Sequence, residues 1–308
     1  MRVAVTGASG FVGVPTLEAL ARQGAEVFAL TRRRPDSPAP FRWIECDLLD
    51  KASARRAIEL CKPDAIVHLA WYVEPGLFWA SSANLAWVSA SLGLAEAAAH
   101  CGVKRFVGVG TCFETVRGGE ADGAPSTAVN STLYAAAKDA TRRILTVFCA
   151  NASIEFAWAR LFFLYGAHEK ASRLVPSVSR RLARGEVAKC SSGRAIRDYM
   201  DVRDAGSGLA TTALSNITGL VNIATGSPVT VAHLVEELGR LAGRPDLIEL
   251  GALPDRENEP NEIAIEGELL SERTEFRPAR NLREGLQQAF DYWKDLAQGG
   301  PFEGRDNR

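Results

Sequence analysis

One stretch constrains this chain more than any other: Thr6-Gly7-Ala8-Ser9-Gly10-Phe11-Val12-Gly13. It follows a short apolar run, Arg2–Thr6, and opens an amphipathic stretch over 12–23. Glycines three apart carry meaning only in this setting, after a strand and before a helix. The turn has to be tight and its backbone has to approach a pyrophosphate closely. The helix start then offers free N–H groups and the positive end of its dipole. Gly7, Ser9, Gly10, Phe11, Val12 and Gly13 are therefore the expected cofactor-binding residues.

The rest of the chain extends that unit. Apolar, β-branched runs at 2–6, 26–31, 42–45, 65–69, 105–110 and 155–160 alternate with helical stretches at 51–61, 84–100 and 133–150. Strands read as almost wholly apolar when helices cover both faces of a parallel sheet. The pattern predicts an α/β fold: a Rossmann doubly wound parallel sheet with a smaller, discontinuous C-terminal substrate-binding lobe. Residues 1–160 with about 197–224 form the expected NAD(P)-binding domain. Residues 161–196 with 225–297 form the lobe, and 298–308, polar and glycine-rich, form a flexible tail.

Charge and cysteine usage exclude several classes. A net charge of −1 gives no overall field toward nucleic acid or an anionic membrane. Cys46, Cys61, Cys101, Cys112, Cys149 and Cys190 include no C-x-x-C pair, so no metal site and a reducing compartment are expected. Met1-Arg2 runs straight into the first strand and no apolar run spans a bilayer, which predicts a cytoplasmic protein.

The second strand ends at Leu30-Thr31-Arg32-Arg33-Arg34. An NAD site normally has an acidic residue here for the ribose 2′-hydroxyl, and none stands between Val27 and Pro35. Arg32 and Arg33 suit a 2′-phosphate instead, so NADP(H) is favoured over NAD(H); a merely solvated arginine loop is the plain alternative. Asp47 and Leu48, after the third strand, are placed to meet the adenine ring, or Asp47 simply caps a helix.

Tyr134 and Lys138 stand four apart in a helical stretch and so share a face. A free tyrosine, with a pKa of about 10, is too weak an acid–base group at neutral pH. A neighbouring ammonium favours the phenolate, and Tyr134 can then exchange a proton with a carbinol oxygen while hydride moves. Thr111, after the fifth strand, offers a hydroxyl for the same oxygen. The pair is common by chance; joined to Thr111 and the glycine turn it is specific.

With these residues in hand, the chain resembles the extended short-chain dehydrogenase/reductase family, the nucleotide-sugar epimerases, dehydratases and reductases. The resemblance runs from Arg2 to about Lys294. It includes His68-Leu69-Ala70, Asn84, the Arg160 to Gly166 segment, Arg197-Asp198-Tyr199-Met200-Asp201-Val202, Asn222 to Gly226 and Arg256. It implies that Tyr134 is the acid–base, Lys138 its partner and ribose contact, and Thr111 the carbonyl anchor. Leu69 and Ala70 join the cofactor-binding set; Arg197 and Arg256 grip a sugar-nucleotide diphosphate. A homodimer through the two long helices carrying Asn84 and Tyr134 is implied as well, with the alanine-rich faces Leu92–Ala99 and Ala135–Ala140 in contact.

Three departures sharpen the reading. The Asp-Glu pair of the 4,6-dehydratases is replaced by Cys112 and Phe113, which removes the acid and base of water elimination. Phe163 replaces the family's asparagine. Trp71, Phe78, Trp79, Trp87 and Phe113 make the substrate rim aromatic, with Cys112 and Phe113 counted as substrate-binding residues. The leading expectation is an NADP(H)-dependent reductase of a keto nucleotide-sugar, at C4. A 4-epimerase with tightly held NAD is the alternative, and an apolar aromatic pocket points to a ring-shaped carbonyl substrate. A catalytically silent Rossmann binding or redox-sensing protein is the rival from another class, which the intact Thr111, Tyr134 and Lys138 count against.

Overall fold

The computed structural model describes residues 1–34, 40–115, 132–256 and 260–299. Most of the expected tail from Gln298 onward thus lies outside the described residues. The apolar runs form one sheet: β1 (Arg2–Thr6), β2 (Glu26–Thr31), β3 (Arg42–Glu45), β4 (Ala65–His68), β5 (Arg105–Thr111), β6 (Glu155–Leu161) and a seventh strand, Gly219–Ile223. Seen across the sheet the order is seventh strand, β6, β5, β4, β1, β2, β3. Every pairing is parallel. The chain winds outward from β1 to β3, returns to β4 and winds the other way. The reversal lies between β1 and β4, the point beyond whose carboxyl ends open α/β sheets bind ligands.

Register explains the core. Phe28, Ala4, Ile66, Phe106 and Phe156 are partners across five adjacent strands. This row packs with α2 (Lys51–Cys61), α3 (Ala83–His100) and α4 (Leu133–Asn151) in a single apolar cluster. Burying each such large side chain stabilises by about 1.5–3 kcal/mol. The alternate residues Val3, Val5, Val27, Ala29, Val67 and Val107 are buried as well, which is why the strands read as unbroken apolar runs. On the other face α1 (Gly13–Arg22) lies against β1 and β2. A Cβ at Gly206 would come within 2.6 Å of the Pro15 backbone, so the helix carrying it passes close beside α1.

Capping sets where the site helices begin. The Thr132 side chain accepts from the Ala135 amide and starts α4 two residues before Tyr134. Asp50 does the same for α2 through Ala52.

The chain divides into two compact units. The first comprises 1–161, 205–223 and 265–276; the second comprises 162–204, 224–264 and 277 to the end. The boundaries differ from the expectation in two places. Residues 197–204 go with the second unit because Tyr199–Asp201 pairs with Phe163–Tyr165. Residues 265–276 go with the first because Asn222 donates its amide to the Glu268 carbonyl and its side chain to that of Glu266. The second unit has its own apolar core, built from helices Leu174–Ala183, Val231–Leu241 and Leu282–Ala297. Its last helix starts in a capping box of Asn281 and Glu284.

The alanine-rich faces of the two long helices are used largely inside the chain. Leu94, Ala95, Ala97, Ala98, Ala135 and Ala137 are buried, where they let α3 and α4 approach the sheet and each other, while Leu92, Ala99 and Ala136 are half-buried and Ala140 is exposed. The large apolar residues these helices expose are Leu85, Leu133, Ile144 and Val147. No helix among the described residues is long and apolar enough to cross a membrane.

Candidate active site

The glycine turn is built by close approach. Gly7 has φ +65°, and a Cβ there would lie 2.9 Å from the Ala70 amide nitrogen. A Cβ at Gly13 would lie 2.2 Å from the Gly7 carbonyl oxygen, so α1 can start directly on the turn. Gly10 donates its amide to the Gly7 carbonyl at 3.0 Å. No side chain caps α1 at Val12. Val14 already donates to the Gly10 carbonyl at 3.2 Å and Pro15 has no N–H, so the N–H groups offered to a ligand are those of the turn up to Gly13.

Behind the turn runs a buried hydrogen-bonded chain with one direction. The Ala70 amide donates to Thr6 Oγ1 at 3.2 Å, and Thr6 Oγ1 meets His68 Nδ1 at 2.8 Å. His68 Nε2 meets Ser91 Oγ at 2.8 Å, and Ser91 donates to the Trp87 carbonyl. Because Ser91 uses its hydrogen on Trp87, it accepts from His68. The imidazole is then protonated on Nε2 and accepts from Thr6 on Nδ1. Burial pushes the His68 pKa down to about 3, in keeping with a neutral ring. The chain ties the ends of β1 and β4 to α3 and sets Ala70 against Gly7.

At the end of β2, Ser9 and Thr31 share a hydroxyl contact of 3.2 Å, and Thr31 donates to the Arg33 carbonyl. Arg32 and Arg33 are exposed, with no ion pair among the described residues. Asp47 is exposed and accepts from the Leu49 amide, while Leu48 is buried in the sheet core. Leu69 and Ala70 are partly exposed beside the glycine turn.

The reacting residues gather at the end of β5. Tyr134 and Lys138, on the first turns of α4, are both buried, as is Thr111. Lys138 Nζ donates to the Val109 carbonyl at 2.8 Å and lies 4.0 Å from the centre of the Trp71 ring. Trp71 is held in turn by Asn84, whose side chain accepts its indole N–H at 2.8 Å. Burial pushes the Lys138 pKa down to about 7, and Glu114 opposes the shift. The Thr111 hydroxyl accepts from the Phe113 amide, so its hydrogen can point at a substrate oxygen. Tyr134 stands among aromatic rings: Phe78 at 4.8 Å and Trp79 at 5.8 Å, both edge-on, with Phe113 against Trp79 at 4.7 Å. Cys112 is buried and packs beneath this end of the strand.

Sequence reasoning missed Glu114. Its carboxylate has no exposed surface and accepts from the Thr111 amide at 2.8 Å and from Trp158 Nε1 at 3.0 Å. Arg160 reaches it at 3.4 Å. The room for this comes from Gly108 and Gly110, where a Cβ would overlap the Trp158 indole. Alternating glycines on one face of an apolar strand were the available signal: they mark where a large side chain of a neighbouring strand lies.

The two arginines expected on substrate belong to the second unit and differ. Arg197 is 1% exposed, donates to the carbonyls of Ile196, Pro260 and Asn261, and lies over the Phe163 ring. These three carbonyls take three of the five N–H groups of its guanidinium. Arg256 is exposed. Among the described residues no group of His, Cys, Asp and Glu is arranged to hold a metal.

Residues 3–224 match the NAD dependent epimerase/dehydratase family. The chain belongs to this family. It is 28% identical to the dTDP-6-deoxy-L-talose 4-dehydrogenase (NAD(P)(+)) of Kitasatospora kifunensis, over 93% of this chain and 94% of that enzyme. It is 27% identical to the 3-diazoavenalumate denitrifying reductase of a Streptomyces species, over 80% of this chain and 83% of that one. Its fold is that of the Thermus thermophilus UDP-glucose 4-epimerase solved in complex with NAD: TM-score 0.78, 24% identity, 96% of this chain and 99% of that chain. As a member of the epimerase/dehydratase family the protein is an NAD(P)-dependent enzyme. Its own residues fit such a cofactor: the glycine turn clears backbone where side chains would collide, and α1 begins without a cap.

Proposed function

We propose that the enzyme reduces the C4 ketone of a nucleotide-linked sugar with NADP(H). The observation that carries this is the conjunction of Thr111, Tyr134 and Lys138 at the end of β5 with exposed Arg32 and Arg33, and no acid among the described residues, at the end of β2. Bound reduced cofactor supplies the hydride. Tyr134 gives its phenolic proton to the substrate oxygen, and Thr111 donates a hydrogen bond to the same atom. The Lys138 ammonium favours the phenolate left behind. Arg32 and Arg33 pair with the 2′-phosphate. Gly7, Ser9, Gly10, Phe11, Val12, Gly13, Leu69 and Ala70 line the rest of the dinucleotide, Asp47 and Leu48 meet the adenine, and Arg256 contacts the diphosphate.

Following NADPH and NADH oxidation over a panel of 4-keto-6-deoxy nucleotide sugars tests the reading. Preferential NADPH turnover supports it; a copurified, non-exchanging NAD with no net oxidation points to the 4-epimerase. A second reading, an aromatic rather than a sugar substrate, is favoured by the rings of Phe78, Trp79 and Phe113 around Tyr134. The same assay with aromatic carbonyl compounds separates the two.

The exposed apolar residues of α3 and α4, with Val147 62% and Leu85 60% exposed, support a homodimer through these helices. Light scattering of Val147→Glu against the unaltered enzyme tests it; an unchanged mass in a dimeric enzyme removes this face.

A further inference from the structure

Glu114 is a fully buried carboxylate inside the reacting set, and the reading above gives it nothing to do. Its acceptors are all in use: Oε1 on the Thr111 amide and Trp158, Oε2 on Trp158 and Arg160. A glutamine has one acceptor oxygen, and its NH2 would face Arg160 or Trp158, both donors. A carboxylate alone offers two accepting oxygens and a negative charge. Two cations, Arg160 and Lys138, are buried here, with 5% and 4% of their surface exposed. Without Glu114 both would lie in a dry region where the described residues bring no other carboxylate into a salt bridge with them.

We propose that Glu114 is a positioning residue of the reacting set: it fixes Thr111 through its backbone amide and is the counter-charge that keeps Lys138 an ammonium. This rests on the reading of Thr111, Tyr134 and Lys138 given above. The geometry brings the two together: Lys138 holds the Val109 carbonyl and Glu114 the Thr111 amide, two residues apart on β5, so both side chains converge on one stretch of that strand. Around Lys138, His68 on β4 is neutral and Trp71 presents a ring face. Glu114, on the turn after β5, carries the negative charge that acts on it. Burial lowers the lysine and Glu114 raises it; burial raises Glu114, while Arg160, the Thr111 and Trp158 hydrogen bonds and Lys138 lower it. Burial outweighs the partner in both, leaving Glu114 raised and Lys138 lowered, and each charge opposes that shift in the other.

The test is direct titration of Lys138 in cofactor-free protein carrying 13Cε-lysine, in the unaltered enzyme and in Glu114→Gln. The ammonium of the unaltered enzyme should titrate near neutrality. In Glu114→Gln the midpoint should fall by about one pH unit or more, a tenfold loss of ammonium at a fixed pH. Coincident curves overturn the proposal, since a merely structural glutamate changes melting temperature without moving the lysine. Should Glu114→Gln not fold, Lys138→Met serves instead. Coupling is reciprocal, so the Glu114 carboxyl carbon must then titrate at higher pH; an unmoved carboxyl overturns the proposal equally. Full turnover in Tyr134→Phe overturns the underlying reading of the reacting set. Loss of turnover there with coincident lysine curves removes the Glu114 role alone.

Discussion

The chain uses glycine twice for close approach, with opposite results. After β1 the missing side chains of Gly7 and Gly13 bring backbone onto backbone, against Ala70 and within the turn itself. The helix start that results has no side-chain cap. On β5 the missing side chains of Gly108 and Gly110 are filled by the protein, with Trp158 and Glu114 occupying the slot. One set of glycines makes a surface for a cofactor and the other makes an interior for a charge. A substitution at Gly10, the roomier glycine of the first turn, should show in binding and one on β5 in stability.

Gly110→Ala is the largest break. Its Cβ would sit 2.1 Å from Trp158 Nε1 and 2.3 Å from Glu114 Oε1. Overpacking and the displaced carboxylate should cost about 3 kcal/mol or more, read as a lowered urea midpoint. Retained stability would mean that the slot is not filled as described.

His68 separates the two regions by pH. Its folded pKa, about 3, lies below the ordinary value of 6.5. Below pH 6.5 the unfolded chain binds a proton that the folded chain does not, so stability is lost as pH falls from 6.5 toward 3. The loss should reach about 2 kcal/mol at pH 5. Denaturant titrations of His68→Asn should show this share of the acid dependence gone; the same slope with and without the histidine would place the loss elsewhere.

Gly10→Ala tests the other side. Only the Gly7 carbonyl, at 3.1 Å, would meet its Cβ. Stability should change by less than about 1 kcal/mol while cofactor affinity falls about tenfold, since the methyl stands where the ligand's pyrophosphate must pass. Equal calorimetric affinities for the two proteins would put the cofactor elsewhere.

The smallest effect sharpens cofactor choice. Arg33→Ser should weaken NADPH about five- to tenfold, roughly 1–1.4 kcal/mol, and leave NADH unchanged. Fluorescence titration with both cofactors reads it, and parallel losses would assign Arg33 a structural part instead.

The contrast also explains what was legible in the sequence. The glycine turn is local: strand, turn and helix lie within 25 residues, and the physical demands of each fall on neighbours in the chain. The seven-stranded sheet was readable for the same reason, as period and composition are properties of short windows. Tyr134 and Lys138 were readable through the repeat of a helix. Glu114 was not, because its meaning comes from Trp158 and Arg160, on a strand that joins β5 only after folding. The burial of Arg197 was not legible for the same reason: its partners include carbonyls of Pro260 and Asn261, far along the chain. The alanine-rich helix faces carried no label saying whether they meet the sheet or a second subunit.

An ammonium has three N–H bonds and no lone pair. At Lys138 one of them is on the Val109 carbonyl, and the nitrogen stands 4.0 Å from the centre of the Trp71 ring. The amine is thereby tied at once to the backbone of β5 and to the ring that Asn84 holds, so a shift of either element carries the nitrogen with it.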